Sequence, residues 1–497
     1  MKVLYVCTEL FPLLKTGGLG DVAGALPPAL REAGCDVRVL LPGFPSILRG
    51  VETNRLARTS PLALPARYGP DLSSAGLNEP PSLRQATLPV SGLATYLLDV
   101  PALFDRPGDP YEDTRGDNAI RFALLAWTAA CLGQGLDPHW QPDVVHCNDW
   151  HTGLAPLYLR QIAMPGPPLA ASVFTVHNLA YQGTFPRPVF WQLGLPDYLF
   201  GINGIEYWGM VSFMKAGLQS ADRITTVSPT YAREIMAPEQ GCGLDGLLRA
   251  RSGVVCGILN GVDYEVWSPA RDRVLPHPFD WDSLQYKAMA KAELQRKLGL
   301  RVDAQAMVFG VVSRLTEQKG LHLVEAVMDE LADRGGQLAV LGAGERPLEL
   351  SFVRTAHRRA GQVAVEIGYD ETMAHAIMAG ADAILVPSRF EPCGLTQLYG
   401  LRYGAVPVVH RVGGLADTVI DATRQNLASG RATGFTFDEF SAAGLRSALR
   451  RAFELHAQPQ LWAKIQKTGM QQRFDWHEAA KRYAAVYRSI KTPAAFA

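Results

Sequence analysis

Apolar residues along the chain form two successive series of short buried runs separated by helix-spaced segments. In the first series, strand-like runs occupy residues 2–7, 36–41, 95–100, 143–147, 172–176, 223–227 and 254–259, and helical spacing occupies residues 22–33 and 118–132. Runs that are apolar on both faces and alternate with helices are typical of parallel sheets. The first series therefore predicts one α/β domain.

The same alternation starts again after a proline-rich stretch at residues 269–278. Strand-like runs follow at residues 307–312, 337–341, 363–367, 383–386 and 406–409, and helical spacing follows at residues 287–298, 321–334 and 461–490. A break in composition of this kind indicates a domain boundary. We therefore predict a first domain of residues 1–262, a second of residues 263–473, and a C-terminal helix at residues 474–497 that packs back on the first domain.

Length and composition agree with two globular domains. The 497 residues are too many for one ordinary core, and 47% of them are hydrophobic and 19% charged. The 48 basic residues balance the 48 acidic ones, which argues against a nucleic-acid partner attracted by net charge. Any phosphate that this chain binds must be bound by a local site.

Cysteine usage and the N-terminus indicate the compartment. The seven cysteines are scattered, odd in number and without a C-x-x-C pair, which favours a reducing environment. The N-terminal apolar run is interrupted by Glu9 and Pro12, so it predicts a first strand and not a signal peptide. No apolar run reaches the roughly 20 residues of a membrane span. We expect a soluble cytoplasmic protein without a membrane or nucleic-acid partner, and its oligomeric state stays open.

The first chemical signal lies after the run at residues 383–386, where a polar loop carries Glu391. Open α/β sheets bind their ligands at the carboxyl ends of the strands. Gly413 and Gly414, after the next run, precede a helical pattern in which backbone N–H groups can meet an anion. An acid beside an anion site indicates group transfer from a phosphorylated donor. A solvated loop carboxylate is the alternative for Glu391.

Two other loops carry cations at the start of a helix. Arg314 and Lys319 lie five residues apart on one of them, which suits a diphosphate, although a solvated charge pair is the alternative. Lys15 precedes Gly17 and Gly18 in a strand-to-helix turn where the backbone can approach a ligand. A tight packing turn is the other interpretation, because the pattern matches neither the dinucleotide fingerprint nor the phosphate loop.

Metal-ligand residue types cluster at the end of the run at residues 143–147. They are His146, Cys147, Asp149 and His151. Neighbouring side chains on a strand point to opposite faces of the sheet, so these four do not converge as a ligand set does. We predict no metal here and expect Asp149 and His151 at a strand end that faces a cleft.

Two further patterns have structural as well as chemical interpretations. The D-x-D at residues 280–282 lies away from any strand end, and Asp280 is interpreted as the start signal of the helix at residues 287–298. Aromatic residues follow the run at residues 172–176, namely Tyr181, Phe185, Phe190 and Trp191. Aromatic rings beside polar groups bind sugars, but they also form cores under loops, and both interpretations stay open.

Taken together, the motifs resemble a known family. The blocks are KTGGLGD at residues 15–21, NDWH at 148–151, HN at 177–178, NGVD at 260–263, SRLTEQKG at 313–320 and PSRFEPCGL at 387–395. In this order they resemble the bacterial glycogen synthases and the plant starch synthases, over nearly the whole chain to about residue 420. Without a transit peptide, the bacterial enzymes are the closer resemblance.

This resemblance implies a fold and a reaction. The fold is GT-B, with two Rossmann-like, doubly wound α/β domains facing across a cleft. The reaction is transfer of α-glucosyl units from ADP-glucose to the non-reducing end of an α-1,4-glucan, either glycogen or a maltooligosaccharide, with retained anomeric configuration. Neither a cofactor nor a metal is implied. A UDP-glucose-dependent retaining glucosyltransferase and a non-catalytic glucan-binding protein are the alternatives.

The resemblance also assigns residues. Catalytic roles fall to Lys15, His177, Arg314, Lys319 and Glu391, with the cations on the donor diphosphate and His177 and Glu391 near the glucose. Substrate-binding roles fall to Gly17, Gly18, Asp21, Asp149, Asn178, Asn260, Tyr369, Cys393, Gly394, Leu395, Thr396, Gly413 and Gly414, with Tyr369 as an adenine-stacking face. Some related retaining transferases have a second Glu where this chain has Tyr399, so a role for a second carboxylate stays open.

Overall fold

The computed structural model describes residues 1–51, 58–61, 69–73, 77, 81–106 and 108–491. Contacts between residues divide the chain into two compact units. The first unit comprises residues 1–227, 232–261 and the C-terminal segment from residue 476, and the second comprises residues 228–231 and 262–475. Each unit is built on a sheet of its own.

The first unit contains twelve of the described strands and most of the shorter helices. Its strands are β1 (Lys2–Val6), β2 (Asp36–Pro42), β3 (Arg58–Pro61), β4 (Ser82–Thr87), β5 (Ala94–Asp99), β6 (Val144–Asn148), β7 (Ala171–Val176), β8 (Thr184–Pro186), β9 (Glu206–Tyr207), β10 (Met210–Ser212), β11 (Arg223–Thr226) and β12 (Val255–Gly257). Its helices are α1 (Gly18–Glu32), α2 (Pro45–Gly50), α3 (Pro101–Phe104), α4 (Asn118–Gly133), α5 (Ala155–Ala163), α6 (Val189–Gln192), α7 (Phe213–Ser220), α8 (Pro229–Glu234), whose first residues belong to the second unit, and α9 (Asp245–Ala250).

Nine of these strands form one sheet in the order β12-β11-β7-β6-β1-β2-β5-β4-β3. The strands from β12 to β5 are parallel, and β4 runs antiparallel to both β5 and β3. A separate antiparallel sheet has the order β8-β10-β9. The parallel core confirms the predicted α/β class. The antiparallel edge and the small sheet were not predicted, because their strands are short and half polar.

The second unit has six strands and nine helices within the described residues. Its strands are β13 (Val308–Val312), β14 (Gln337–Gly342), β15 (Val363–Ile367), β16 (Ala383–Val386), β17 (Val406–His410) and β18 (Phe435–Phe437). Its helices are α10 (Lys287–Lys297), α11 (Leu321–Asp333), α12 (Arg346–Arg358), α13 (Glu371–Gly380), α14 (Thr396–Arg402), α15 (Gly413–Thr418), α16 (Arg424–Ala428), α17 (Ala442–His456) and α18 (Pro459–Met470).

All six strands are parallel, in the order β15-β14-β13-β16-β17-β18. Alternate residues of the four central strands β14, β13, β16 and β17 enter two different cores, as Leu385 and Ile384 of β16 do. Leu385 packs with residues of α11, α12 and α17, whereas Ile384 packs with residues of α10 and α13. Side chains with a period of two are therefore buried on both faces, which makes this unit a doubly wound α/β fold.

The C-terminal region is not one continuous helix, contrary to the pattern at residues 461–490. Helix α18 ends at Met470, and α19 (Trp476–Lys491) begins after a short irregular segment. Helix α19 packs on α1 of the first unit and buries Tyr483 and Tyr487 there. The sequence pattern did not show the break, because apolar spacing continues on both sides of it.

The interpretation of Asp280 as a helix start was wrong. Helix α10 begins at Lys287, and Tyr286 occupies the position before it. The Asp280 carboxylate instead accepts the backbone N–H of Trp281 (2.7 Å), and the N–H of Asp280 donates to Ser283 Oγ (2.8 Å). Asp280 therefore stabilises a turn one element upstream of the helix. In the described ranges, no helix combines the length and the apolar character that a bilayer crossing requires.

Candidate active site

The second unit brings Glu391 and Lys319 together at the carboxyl ends of adjacent strands. Glu391, in the loop after β16, is 8% exposed, and its Oε2 accepts from Lys319 Nζ (2.7 Å) and from Ser388 Oγ (2.8 Å). Lys319 lies in the loop after β13, the neighbour of β16 in the sheet. Glu391 is therefore a buried acid with a paired charge and not a solvated loop carboxylate.

Glycines without room for a side chain hold these loops together. A Cβ on Gly320, whose φ is +71°, would lie 2.0 Å from the carbonyl oxygen of Pro387. Gly413 has a φ of +45°, and a Cβ there would lie 2.0 Å from the carbonyl oxygen of Glu391. A Cβ on Gly414 would lie 2.0 Å from the carbonyl oxygen of Cys393. The loops that follow β13 and β17 therefore both lie in close backbone contact with the Glu391 loop.

Gly413 and Gly414 differ from the prediction in one respect. They do not precede a helix but form the first turn of α15, and the N–H of Gly414 donates to the carbonyl oxygens of Glu391 (3.1 Å) and Pro392 (3.2 Å). That N–H group is therefore engaged by the protein and does not face an anion. Both glycines let the loop backbone come close, and an anion-binding role for Gly413 stays a prediction.

Gln397 is a residue that the sequence reasoning missed. Its Nε2 donates to the carbonyl oxygens of Cys393 (3.0 Å) and Gly394 (2.9 Å), and its side chain is fully buried. Gly394 itself has a φ of +72°. The amide thus stabilises the turn that joins the Glu391 loop to α14. The only signal in the sequence is an amide residue in the first turn of that helix.

The remaining predicted residues of the second unit differ in exposure. Cys393 is buried, and Leu395 and Thr396 are half-buried beside it. Arg314 is exposed, and its side chain has no ion pair or hydrogen bond to any described residue. Tyr369 follows β15 and is 67% exposed. The structure therefore joins Lys319 to Glu391 but leaves Arg314 and Tyr369 on the surface.

In the first unit, Glu9 organises the predicted glycine turn. Its buried carboxylate accepts the N–H of Thr16 (2.6 Å), the hydroxyl of Thr16 (2.7 Å), the N–H of Gly17 (3.2 Å) and the hydroxyl of Tyr111. In the sequence, Glu9 is visible only as an interruption of an apolar run. Its partner Tyr111 is 102 residues away, so nothing local could reveal the pairing.

The turn itself is open to solvent at its glycines. A Cβ on Gly17 or Gly18 would meet nothing within 4 Å, and both residues are exposed. A tight packing turn is therefore excluded at these two positions. Lys15 Nζ lies 2.7 Å from Asp21 Oδ1. Helix α1 begins at Gly18, earlier than the predicted residue 22, so the turn and the helix start coincide.

Asp149 links the carboxyl ends of β6 and β7. Its φ is +58°, and its Oδ1 accepts the N–H of His177 (2.8 Å) and the N–H of Asn178 (3.4 Å). Burial raises the pKa of Asp149 to about 7, although the two N–H donors lower it in part. Asp149 thus fixes the His177 backbone by direct hydrogen bonding.

The His177 side chain is held in one orientation and one charge state. Its Nε2 donates to Asn148 Oδ1 (3.0 Å), because the amide nitrogen of Asn148 already donates to the carbonyl oxygen of Val6 (3.0 Å). Tyr5 also donates to Asn148 Oδ1 (3.1 Å). Burial lowers the pKa of His177 to about 3, so the imidazole is neutral near pH 7. Its Nδ1 is then an acceptor.

The expectation that His151 faces a cleft was wrong. His151 is buried between the rings of Trp150 and Tyr111, with centroid distances of 4.0 and 4.3 Å. His146 is also fully buried, and among the described residues no group of three or more His, Cys, Asp or Glu side chains is placed to hold a metal. The aromatic residues after β7 differ in exposure: Phe185 and Phe190 are buried, whereas Tyr181 and Trp191 are exposed.

Asn260, the last predicted residue of the first unit, is buried one residue before the chain enters the second unit. Its Oδ1 has no hydrogen-bond partner among the described residues. A buried amide oxygen without a partner costs free energy, so it is a position where a ligand or a water would be stabilising.

His146 makes the first unit sensitive to acid. Its ring nitrogens are hydrogen-bonded to Tyr487 Oη (2.7 Å) and Thr175 Oγ1 (2.6 Å), and burial lowers its pKa to about 3. The unfolded chain takes up this proton near pH 6.5 and the folded chain does not. His146 alone therefore lowers the free energy of unfolding by roughly 1.4 kcal/mol per pH unit as the pH drops from about 6.5 towards 3.

We accordingly expect His146→Gln to reduce the slope of stability against pH between pH 6.5 and 4.5 by roughly 1.4 kcal/mol per pH unit, while the buried His177 and His151 keep contributing slopes of the same sign in both proteins. Urea unfolding, followed at several pH values, measures the slope. The buried Asp149 contributes a slope of opposite sign, since its raised pKa favours folding at lower pH, but it is present in both proteins and cancels in the comparison. The exposed His357→Gln is the control. Equal slopes for His146→Gln and the unmodified protein would contradict the assignment.

Comparison with known proteins defines the class of the chain. A family model described as the starch synthase catalytic domain matches residues 2–250, and a model described as glycosyl transferases group 1 matches residues 292–469. A sucrose-phosphate synthase from Thermosynechococcus elongatus, 16% identical with a TM-score of 0.58 over 98% of both chains, shares the fold. Two doubly wound units with these matches define a glycosyltransferase of the GT-B fold.

More similar proteins narrow the family. Glycogen synthases from Albidiferax ferrireducens and Variovorax paradoxus are 58% and 56% identical, covering 99% and 98% of this chain and the same shares of their own lengths. The catalytic domain of starch synthase IV from Arabidopsis thaliana, solved with ADP and acarbose, is 31% identical with a TM-score of 0.85 over 98% of this chain and 99% of that one. The chain belongs to the glycogen and starch synthase family.

Proposed function

We propose that this glycosyltransferase elongates glycogen by transferring α-glucosyl units from ADP-glucose to the non-reducing end of an α-1,4-glucan, with retained configuration. The observation that carries the proposal is the Glu391–Lys319 pair at the carboxyl ends of β16 and β13. Open sheets bind nucleotides at this edge. The high identity to glycogen synthases and the ADP bound by starch synthase IV support the reaction and the donor.

The chemistry requires charge stabilisation at two places. The bond between the anomeric carbon and the β-phosphate oxygen breaks, a bond from that carbon to O4 of the acceptor forms, and the O4 proton passes to the departing phosphate. Negative charge grows on the phosphate, and positive charge grows on the anomeric carbon. Fixed cations stabilise the first charge, and carboxylate or carbonyl oxygens stabilise the second.

In this proposal the second unit binds the donor. Lys319 and Arg314 neutralise the diphosphate, and Glu391 lies near the glucosyl group. The 2.7 Å contact holds the Lys319 and Glu391 side chains in place before the donor arrives, so little reorganisation is needed during the reaction. Tyr369, exposed at the end of β15, offers a ring face to the adenine. The segment from Cys393 to Thr396 lines the donor site.

The first unit acts on the acceptor side and on the glucose. Gly17 and Gly18 are exposed and leave the backbone of the turn accessible to a ligand, and Lys15 supplies a cation beside it. His177, positioned by Asp149 and Asn148, is neutral and so adds no positive charge beside the anomeric carbon. Asn178, Asp21 and Asn260 complete the predicted polar contacts. A same-face attack assisted by the leaving phosphate fits this placement and requires no covalent bond to Glu391.

The proposal predicts donor preference and insensitivity to chelator. Steady-state rates of glucose incorporation into glycogen should be at least tenfold higher with ADP-glucose than with UDP-glucose. A tenfold preference corresponds to about 1.4 kcal/mol of differential transition-state binding. Addition of EDTA should leave the rate unchanged, because Lys319 and Arg314 supply the charge that a metal would otherwise supply.

Each outcome has a separate meaning. A strong preference for UDP-glucose would overturn the donor assignment but leave glucosyl transfer intact. Loss of activity with EDTA, restored by a divalent cation, would overturn the cation-only account of the diphosphate. Absence of transfer from either donor, together with retained binding to glycogen, would favour the non-catalytic alternative. Product analysis for α-linkage tests retention.

A further inference from the structure

The second unit contains a cavity whose lining residues lie outside the Glu391 cluster. Its volume is about 380 Å³, at the lower end of the range of roughly 300–1,000 Å³ that small-molecule sites occupy. The lining includes Tyr264, Trp281, Arg402, Gln471, Gln472 and Arg473. None of these residues was assigned a role by the sequence motifs.

Two aromatic rings give the cavity an apolar face. Trp281 is 40% exposed and lines the cavity. The ring of Tyr264 is covered by the guanidinium of Arg402 at 5.0 Å, and its hydroxyl accepts the N–H of Phe474 (2.9 Å). Tyr264 is therefore fixed in place, and Trp281 presents an accessible ring.

The polar groups of the cavity do not form a strong anion site. Arg402 donates to Ser268 Oγ (2.9 Å) and lies 3.9 Å from Asp280, so its charge is already partly engaged. Arg473 shares the lining with Asp475. The two side-chain amides of Gln471 and Gln472 supply neutral donors and acceptors. Because its positive and negative charges nearly cancel and its amides form hydrogen bonds, this lining suits an uncharged polyhydroxy ligand better than a phosphate.

Helix α14 connects the cavity to the proposed donor loop. Arg402 is the last residue of α14, whose first residue, Thr396, directly follows that loop. Seven helical residues span about 10 Å, so the cavity lies roughly one short helix from the loop. A long glucan chain held here would keep the polymer at the enzyme between transfers.

We propose that this cavity is a second glucan site, in which one or two glucose residues stack on Trp281 and hydrogen-bond to Gln471 and Gln472. The proposal rests on glucan elongation as the function of the chain. Stacking of an apolar sugar face on the ring and hydrogen bonds from the sugar hydroxyls to the amides use the aromatic and the neutral polar groups of the lining. The ligand is thus a neutral segment of the polymer that the enzyme extends.

The test compares a long and a short acceptor. In Trp281→Ala, the KM for glycogen and the retardation in glycogen-containing native gels should both weaken by roughly tenfold, the loss of one good stacking contact. The kcat/KM for maltotriose, too short to span both sites, should stay unchanged. Tyr286→Ala removes a ring of similar exposure, 43%, outside the cavity and is the matched control. Gln471→Ala tests the site independently if Trp281→Ala folds poorly.

The outcomes separate this site from the reaction itself. Unchanged glycogen affinity in both Trp281→Ala and Gln471→Ala would overturn the second site while leaving the transferase function untouched. An equal loss with maltotriose would place Trp281 in the catalytic acceptor path and also overturn it. Quenching of tryptophan fluorescence by glucose 1-phosphate but not by maltoheptaose, abolished in Trp281→Ala, would show an anion site and overturn the glucan proposal. No transfer to maltotriose in the unmodified protein would reject the function on which the proposal rests.

Discussion

Glu391→Ala is expected to lower glucosyl transfer about a hundredfold, which corresponds to roughly 3 kcal/mol of lost transition-state stabilisation. The carboxylate is buried and bonded to Lys319 and Ser388, so its removal also leaves the Lys319 ammonium without its counter-charge. Lys319→Ala should lose transfer to a similar extent. Initial rates with ADP-glucose and glycogen measure both effects.

Because Glu391 and Lys319 form one pair, their effects should not add. The double variant should be nearly as active as either single variant, as expected of groups that act as a unit. Arg358→Ala is a suitable control, since it breaks an ion pair of similar length with Asp329 at a site exposed to solvent. Exposed pairs contribute about 0–1 kcal/mol to stability, and transfer should be unchanged.

Circular dichroism and thermal unfolding of these variants distinguish lost chemistry from lost structure. A folded Glu391→Ala protein with near-normal transfer would remove Glu391 from the reaction. Fully additive losses in the double variant would mean that Lys319 and Glu391 act independently, contrary to their 2.7 Å contact.

The strands and helices were largely predictable because their signals are local. The run at residues 307–312 is β13, and the run at 383–386 is β16, within one residue at each end. Buried parallel strands require continuous apolar residues, and glycines between strand and helix mark the ligand-binding edge. The sequence could therefore locate the loops that carry Lys319 and Glu391 before their contact was known.

The arrangement within the site was less predictable because it depends on residues far apart in the chain. Glu9 and Tyr111 are 102 residues apart, and neither lies in a motif that could pair them. Asn148 belongs to the NDWH block, which gives no sign that its amide fixes the tautomer of His177 across 29 residues. Hydrogen bonds of this kind are set by the fold and leave no periodic pattern in the sequence.

The same limit explains why the close contact of the glycines after β17 with the Glu391 loop was not predicted. A pair of glycines before a helix indicates exposed N–H groups, but close approach of a second loop has the same sequence signature. The 2.0 Å distance from a Cβ on Gly414 to the carbonyl oxygen of Cys393 shows the close approach, which the sequence alone does not. Arg314 and Tyr369, both exposed, keep roles that stay predictions.

Gly414→Ala is therefore expected to impair transfer about a hundredfold without touching any charged group. The new Cβ would lie 2.0 Å from the carbonyl oxygen of Cys393 and 2.5 Å from its Cα, so the Glu391 loop must move by about 1 Å. A displacement of that size can cost two orders of magnitude in rate. The φ of Gly414 lies outside the left-handed region, so alanine adopts the backbone conformation without strain, and the effect isolates the contact.

Gly335→Ala supplies the converse control in the same unit. Gly335 has a φ of +80° and open space around its Cα, so the substitution adds about 1–2 kcal/mol of backbone strain but no contact. It should lower the midpoint of thermal unfolding and leave kcat unchanged. Gly414→Ala should lower kcat much more than its own loss of stability predicts. If both variants lost activity in proportion to stability, close packing against the Glu391 loop would have no specific role in positioning that carboxylate.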